Sequence, residues 1–244
     1  MNHLYQISIS EVIRLTKEDS WAFANGVVSE YADNEKKVKE HLSKTFAKYV
    51  AGANVDGEEL KNLFFPTDLA NKFDLFISHS YADKDEVERL AKVLEAYGYH
   101  CFVDWMVWGN LKDLQHTLDN NLCNPVKKDK GGISYDYMSR NYTTAHTHAM
   151  LSMALFDMID KCDICLFITS NNSTLPNANF GDLATLSPWI YEEVTFMNSI
   201  AHIKERKMFS EGGEVVRITH PLDLSHFKTL TAHNLISSLQ TLND

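Results

Sequence analysis

A short polar stretch, Ser78-His79-Ser80-Tyr81, carries side chains suited to a polar ligand and directly follows a mostly apolar run at residues 73–77. A run that is apolar on both faces predicts a strand at the centre of a parallel sheet. In such sheets ligands bind at the carboxyl ends of the strands. We therefore expect the hydroxyl, imidazole and phenol groups of this stretch to lie at a ligand-binding edge.

Trp189 and Glu193 lie in a segment whose start is typical of a helix, because Ser187 can cap it and Pro188 suits its first turn. Residues at positions i and i+4 share one helix face, so the indole and the carboxylate should stand one above the other, with the carboxylate directed at the edge of the sheet. A glutamate at this position can equally be a partner of the helix dipole, and the tryptophan can be a core residue. Both interpretations stay open at this point.

Three strands and the segments between them predict the scaffold. Residues 84–97 have a helical apolar period after the first strand, and residues 99–105 predict a second strand. A strand, a helix and a strand of these lengths imply a parallel, right-handed crossover. Residues 162–169 predict a third buried strand, which runs into a polar loop at residues 170–173. The pattern favours an α/β fold with a mostly parallel, flavodoxin-like central sheet.

The first part of the chain predicts a helical N-terminal extension, residues 1–70, in front of a domain at residues 71–244. Apolar stripes predict helices at residues 18–31, 34–52 and 57–64. Such stripes are buried either against a neighbouring domain or in an oligomer or partner interface, and the pattern does not choose between the two.

A long, irregular connection is predicted at residues 106–143, with one candidate helix at Leu111–Leu122 and a surface loop at residues 124–132. Connections of this length are typically functional or disordered, and the tyrosines and Arg140 of this one favour a folded, functional loop. The chain then predicts helices and strands at residues 144–159, 188–203, 207–209, 215–219 and 231–242.

Three motifs, in their order and spacing, resemble those of the Toll/interleukin-1 receptor (TIR) domains. They are residues 73–80 with Asp83 behind them, residues 101–104, and Ser187-x-Trp189-x-x-x-Glu193. Together they span residues 73–244. The resemblance is to bacterial TIR NADases of anti-phage defence systems (Thoeris-like), and it implies a TIR domain that acts on NAD.

The resemblance implies that Glu193 is catalytic, because in the enzymatic branch of the family the glutamate at this position helps to cleave the bond between nicotinamide and ribose. Loss of neutral nicotinamide leaves an oxocarbenium-like ribose, which a nearby negative charge stabilises, as in glycoside hydrolysis. Water then gives ADP-ribose, whereas the adenine or another acceptor gives a cyclic or conjugated product. NAD is thus expected as the substrate, without a further cofactor or a metal.

The resemblance also suggests a substrate-binding set. The polar stretch would meet phosphate or ribose, and aromatic residues would pack on the rings of NAD. His79 is interpreted as a polar lining residue, because the cleavage requires no proton removal from the leaving group. The expected substrate-binding residues are Ser78, His79, Ser80, Tyr81, Phe102, Asp104, Trp105, Trp108, Tyr142 and Trp189.

The charge composition makes some classes of binding partner unfavourable. Lysine and arginine number 23 against 33 for aspartate and glutamate, a net charge of −10. A protein this acidic is a poor candidate for the nucleic-acid backbone, because that binding relies on basic residues. No apolar run is long enough to span a membrane, and the first residues lack the features of a signal peptide. We expect a cytoplasmic protein with no membrane or nucleic-acid partner.

Two further patterns invite a metal or redox interpretation. Cys162 and Cys165 have C-x-x-C spacing, but they lie within an apolar run and no second pair completes a zinc set, so buried structural thiols are expected. His146 and His148 would point about 200° apart on a helix and so are not expected to be joint ligands.

The alternative to an enzyme is a non-enzymatic TIR adaptor that acts through TIR–TIR association. An adaptor does not need Glu193 in its Trp-x-x-x-Glu context. For the enzyme, the resemblance implies a homo-oligomer whose product is read by a separate effector protein. The connection at residues 106–143 takes the place of the loop that gates the NAD site in TIR enzymes, and here it is much enlarged.

Overall fold

The computed structural model of the 244-residue chain describes residues 3–19, 56–65, 67, 73–108, 111–127, 132–176, 183–201 and 220–241. The chain divides into two compact units, and each is described by itself. Unit 1 comprises Met1–Val28, Ala70–Val103 and Met158–Asp244, and unit 2 comprises Ser29–Leu69 and Asp104–Asp157.

The described residues form short helices and strands that alternate along most of the chain. The helices are Ile9–Glu18 (α1), Gly57–Phe64 (α2), Lys84–Ala96 (α3), Asp104–Trp108 (α4), Leu111–Leu122 (α5), Tyr137–Lys161 (α6), Pro188–Ala201 (α7) and Leu235–Gln240 (α8). The strands are His3–Ser8 (β1), Leu75–Ser78 (β2), Cys101–Phe102 (β3), Val126–Lys127 (β4), Ile133–Ser134 (β5), Ile164–Thr169 (β6), Leu175–Pro176 (β7), Leu183–Thr185 (β8), His220–Pro221 (β9) and Lys228–Leu230 (β10).

Unit 1 is built on a five-stranded, all-parallel sheet in the spatial order β10-β1-β6-β2-β3. β2 is buried throughout and β6 is buried up to its last residue, as expected of strands covered on both faces. Phe76 lies opposite Cys165, and Ser78 lies opposite Phe167. The predicted α/β class with a parallel central sheet is confirmed, and the sheet is consistent with a flavodoxin-like fold.

β1 departs from the predicted organisation, because it lies in the stretch expected to be a helical extension. It pairs with β6 from His3, opposite Ile164, to Ser8, opposite Thr169, and it pairs with β10 on its other side. Ile7 is fully buried between these neighbours. The expectation of a separate helical extension is therefore wrong for this stretch, since parallel pairing with distant strands decides its conformation.

The position of β1 also sets the order of the sheet. Counted from β2, the arrangement β3-β2-β6 follows the flavodoxin-like order, in which the second strand lies on one side of the first and the third on the other. The fourth place belongs to β1 and the fifth to β10. The start of the chain thus completes a sheet whose other strands come from after residue 74.

The direction of the crossovers assigns the helices of unit 1 to two faces of the sheet. The connections from β1 to β2 and from β2 to β3 run one way across the sheet, and the connection from β6 to β10 runs the other way. Because parallel crossovers are right-handed, α1 and α3 share one face and α7 lies on the opposite face. In agreement, α1 packs against α3, and α7 packs against β1 and β2.

Unit 2 contains α2, α4, α5, most of α6 and the antiparallel hairpin of β4 and β5. Phe65 packs edge-on against Trp108, with ring centroids 5.4 Å apart. The buried ammonium of Lys61 lies 3.1 Å from a carboxylate oxygen of Asp157. Aromatic packing and a partly buried ion pair therefore stabilise this unit.

The connection at residues 106–143, predicted to be folded but irregular apart from one candidate helix, contains more regular structure than expected. It holds the predicted α5, the end of α4, the start of α6 and the small hairpin. Leu114 and Leu118 are buried on one face of α5, and Arg140 donates a hydrogen bond to buried Asp119 at 3.0 Å. The segment is mostly helical because apolar residues recur at helical spacing on both sides of its polar turn.

The remaining helices and strands lie close to their predicted positions, but several differ from the prediction in length. α2, α5 and α7 lie where predicted, whereas α6 begins at Tyr137 and α8 begins at Leu235. The predicted second strand is shorter than expected, because Asp104 already begins α4. Predictions at residues 34–52, 207–209 and 215–219, and most of 18–31, lie outside the described residues.

Candidate functional site

The neighbouring strands β2 and β6 form the edge at which a ligand is expected. The chain leaves β2 toward β3 and leaves β6 toward β10, so the two connections diverge. Divergence between adjacent parallel strands marks the ligand-binding position in open α/β sheets. We call this place, formed by the carboxyl ends of β2 and β6 with the loops at residues 79–83 and 170–174, the β2/β6 edge.

Glu193 brings a carboxylate from α7 to the end of β2. It is 5% exposed, and the hydroxyl of Ser78 donates a hydrogen bond to its Oε2 at 2.5 Å. That distance is typical of a charge-assisted bond between a hydroxyl and a carboxylate. Ser78 is 1% exposed. The fold therefore joins two predicted site residues that lie 115 positions apart in the chain.

The start of α7 determines where Glu193 points. Ser187 accepts the amide proton of Ile190 at its hydroxyl oxygen, over 3.3 Å, and that of Tyr191 at its carbonyl oxygen, over 3.1 Å. The predicted cap is thereby confirmed. Trp189 is partly buried in the first turn, and Glu193 follows on the buried side of the next turn, since α7 packs against β2.

A second buried carboxylate, Asp83, ties the two loops of the β2/β6 edge together. Its Oδ2 accepts a hydrogen bond from the hydroxyl of Ser170 at 2.5 Å, and its Oδ1 accepts one from the amide of Asn172 at 2.6 Å. Asp83 is 5% exposed. Both polar loops are predictable from the sequence. The hydrogen bonds between them are long-range contacts, which no local sequence pattern predicts.

The loop after β6 is further fixed by Ser173. This residue is 1% exposed; its hydroxyl donates to the carbonyl of Ile168 at 2.9 Å and accepts the amide proton of Ser170 at 2.8 Å. These contacts join the end of β6 to the turn that follows it. Hydrogen bonds of Ser173 therefore stabilise the loop, and the bonds to Asp83 connect it to the loop after β2.

The other residues of the polar stretch after β2 differ in their exposure and in their hydrogen bonds. His79 is 9% exposed, and its Nδ1 lies 3.3 Å from the carbonyl oxygen of Ile77. Ser80 accepts the amide proton of Ala82 and so caps the short turn that follows. Tyr81 is 49% exposed and is the member of the stretch with the largest surface available to a ligand.

Phe102 lies in the core of unit 1. It is fully buried, stacked on Phe76 with centroids 5.4 Å apart and in edge contact with Phe73 at the same distance. Its neighbours leave no ring face exposed. This placement corrects the expectation that Phe102 packs on a ring of NAD.

Four of the expected substrate-binding residues belong to unit 2. Asp104, Trp105 and Trp108 lie on α4, where Trp108 is 5% exposed and packs on Phe65. Tyr142 lies on α6 and is 68% exposed. Trp108 is therefore a core residue of its unit, whereas Tyr142 presents an aromatic surface.

The cysteines are buried free thiols, as predicted. Burial raises the pKa of Cys101 and of Cys162, because the thiolate would lose its hydration. A thiol that stays protonated is a poor nucleophile and a poor metal ligand. The C-x-x-C spacing of Cys162 and Cys165 thus reflects packing in and beside β6.

Within the described ranges, no group of three or more histidine, cysteine, aspartate or glutamate side chains is arranged to hold a metal ion. Over the same residues, no helix combines the length and the apolar character needed to cross a membrane.

Comparisons with protein-family models, curated proteins and solved structures found no match for this chain. The interpretation of the β2/β6 edge therefore rests on its geometry, on the buried pair of Ser78 and Glu193, and on the three motifs that resemble TIR domains.

Proposed function

We propose that this chain is a TIR-type NAD glycohydrolase or cyclase, which breaks the bond between nicotinamide and ribose in NAD. Glu193 is the catalytic carboxylate. The single observation that carries the proposal is the position of this carboxylate, which is 5% exposed and hydrogen-bonded to Ser78 at the β2/β6 edge.

The chemistry needs a negative charge held close to the anomeric carbon. When the C1′–N bond breaks, its electron pair neutralises the pyridinium nitrogen, so nicotinamide leaves without receiving a proton. The positive charge that develops on the ribose is stabilised by the carboxylate of Glu193. A buried carboxylate is effective here, because interactions between charges strengthen where water is excluded.

The cation is then captured by a nucleophile. Water forms a C1′–O bond, releases a proton to the solvent and gives ADP-ribose. Attack by an adenine nitrogen of the same molecule gives a cyclic product, and attack by another acceptor gives a conjugate. We expect Ser80 and the exposed Tyr81, at the β2/β6 edge, to contact the ribose or phosphates.

The biological role follows from the resemblance to TIR enzymes. We place the reaction in anti-phage defence, where the ADP-ribose-derived product is a signal read by a separate effector protein. The enzyme is a homo-oligomer formed through TIR–TIR contacts. The rival function, a TIR adaptor without activity, uses the same contacts but has no need of a buried carboxylate at the β2/β6 edge.

The test is nicotinamide release from NAD by the purified, concentrated protein, followed by mass spectrometry. Glu193→Ala is expected to lower the rate by about 1000-fold, because it removes the charge that stabilises the transition state. Glu192→Ala is the matched control, since it removes the preceding, partly exposed carboxylate of the same helix turn. The mass of the second product separates hydrolysis from cyclisation or conjugation.

Two outcomes would contradict the proposal. Release that persists in Glu193→Ala would show that another group is catalytic. Absence of release from the wild-type protein, both pure and in extract from phage-infected cells, would favour the adaptor.

A further inference from the structure

The hydroxyl of Ser78 has one proton, and the structure uses it for Glu193. The donor–acceptor distance is 2.5 Å, and Ser78 itself is 1% exposed. A hydroxyl that donates to a carboxylate cannot donate to a phosphate or a ribose at the same time. The geometry therefore favours a different role for Ser78 from direct substrate binding.

We infer that Ser78 is a positioning residue: its hydroxyl holds the carboxylate of Glu193 in the place from which it acts on NAD. The inference rests on the proposed function and extends it to a residue outside the Trp-x-x-x-Glu motif. Ser78 acts only through Glu193, and its contribution is to the rate of the chemical step.

The two ends of this hydrogen bond differ in rigidity. Ser78 is the last residue of β2 and lies opposite Phe167 of β6, so its backbone is part of the sheet. Glu193 carries its carboxylate at the end of a side chain with several rotatable bonds, on a helix that packs on the sheet. A bond at the tip of that side chain fixes the carboxylate relative to the β2/β6 edge. Misplacement of a catalytic group by about 1 Å can cost about 100-fold in rate.

The test compares Ser78→Ala with Ser173→Ala. Both changes remove a hydroxyl that is 1% exposed at the β2/β6 edge, but Ser173 bonds to the carbonyl of Ile168 and not to Glu193. Both variants are expected to lose thermal stability. Ser78→Ala should also lower kcat for nicotinamide release by about 10- to 100-fold with little change in KM, the loss expected for a hydrogen bond to a charged group. Ser78→Thr, which keeps a hydroxyl, should restore most of kcat.

A second readout does not depend on activity. In crystal structures of the two variants, the Glu193 carboxylate should leave its wild-type position in Ser78→Ala and keep it in Ser173→Ala. An unmoved carboxylate in Ser78→Ala would overturn the inference, whether or not the protein cleaves NAD.

The activity data separate this inference from the proposed function. If the wild-type protein cleaves NAD and Ser78→Ala keeps its full kcat, Ser78 is not a positioning residue and the proposed function stands. A similar loss of kcat per folded molecule in Ser78→Ala and Ser173→Ala would also overturn the inference. If the wild-type protein releases no nicotinamide, both pure and in extract from phage-infected cells, the proposed function is wrong, and the catalytic role of Ser78 is wrong with it.

Discussion

Glu193 and Asp83 are both 5% exposed, and each accepts a hydrogen bond from a serine hydroxyl at the β2/β6 edge. Asp83 accepts one bond at each oxygen, from Ser170 and Asn172, and so joins two loops. Glu193 accepts a bond from Ser78 at Oε2. Burial of a carboxylate is costly unless hydrogen bonds compensate it, so both acids need these neutral donors. We interpret Asp83 as structural because it joins the two loops, whereas the catalytic role of Glu193 is our proposal.

Asp83→Ala should destabilise the protein by about 2 kcal/mol, because it leaves the buried hydroxyl of Ser170 without its acceptor and breaks the bond from the exposed amide of Asn172. Asp85→Ala is the control, since it removes an exposed carboxylate in the first turn of α3 and should cost less than about 1 kcal/mol. Urea unfolding followed by circular dichroism measures both. Equal effects of the two substitutions would show that Asp83 does not hold the loops together.

Among the elements, β1 shows most clearly where a local pattern is insufficient. Residues His3–Ser8 form too short a run to establish a period, and α1 follows without a turn. What makes the run a strand is the presence of β6 on one side and β10 on the other. By contrast, β2, β6 and α7 are predictable from the local sequence. An apolar run indicates each of the two strands, and a capping residue followed by proline indicates the start of the helix.

Ile7→Ala should cost about 3 kcal/mol of unfolding free energy, because it opens a cavity between β1 and its neighbours in the sheet. Ile7 is fully buried, whereas Ile133 on β5 is 44% exposed, so Ile133→Ala is a matched control with a small expected effect. Urea denaturation of the two variants gives the comparison. A negligible effect of Ile7→Ala would mean that β1 is a dispensable extension after all.

For the molecule as a whole, the sequence predicted the fold class and the pair of elements that carry Glu193 and the loop after β2. It did not predict which residues meet across the β2/β6 edge. Apolar periodicity reports which face of an element is buried, but not which distant element covers it. The bond between Ser78 and Glu193 and the tie through Asp83 both depend on the spatial order of the strands.

The buried thiols make the stability of the whole molecule sensitive to alkaline pH. Burial raises the pKa of Cys101 and Cys162 above the unfolded value of 9.0, so the folded state keeps protons that the unfolded state loses. The stabilisation is complete below that pH and decreases as the pH rises above it. The two thiols should together account for a loss of about 2 kcal/mol between about pH 9 and pH 10.

The double variant Cys101→Ala, Cys162→Ala isolates this effect, because it keeps the buried tyrosines that also titrate at high pH. Its unfolding free energy, measured in urea at a series of pH values, should fall less steeply than that of the wild-type protein above pH 9. Identical slopes for the two proteins would contradict the predicted protonation of the buried thiols.

The catalytic role of Glu193 is tested most directly by the rate of nicotinamide release by Glu193→Gln. Glutamine keeps the size of the side chain and an oxygen that can accept the bond from Ser78, and it removes the charge while an amide nitrogen replaces the second carboxylate oxygen. We predict a folded variant whose rate is lower by about 1000-fold than that of the wild-type protein. A variant that releases nicotinamide at the wild-type rate would show that Glu193 is a structural residue and that the negative charge is not what cleaves NAD.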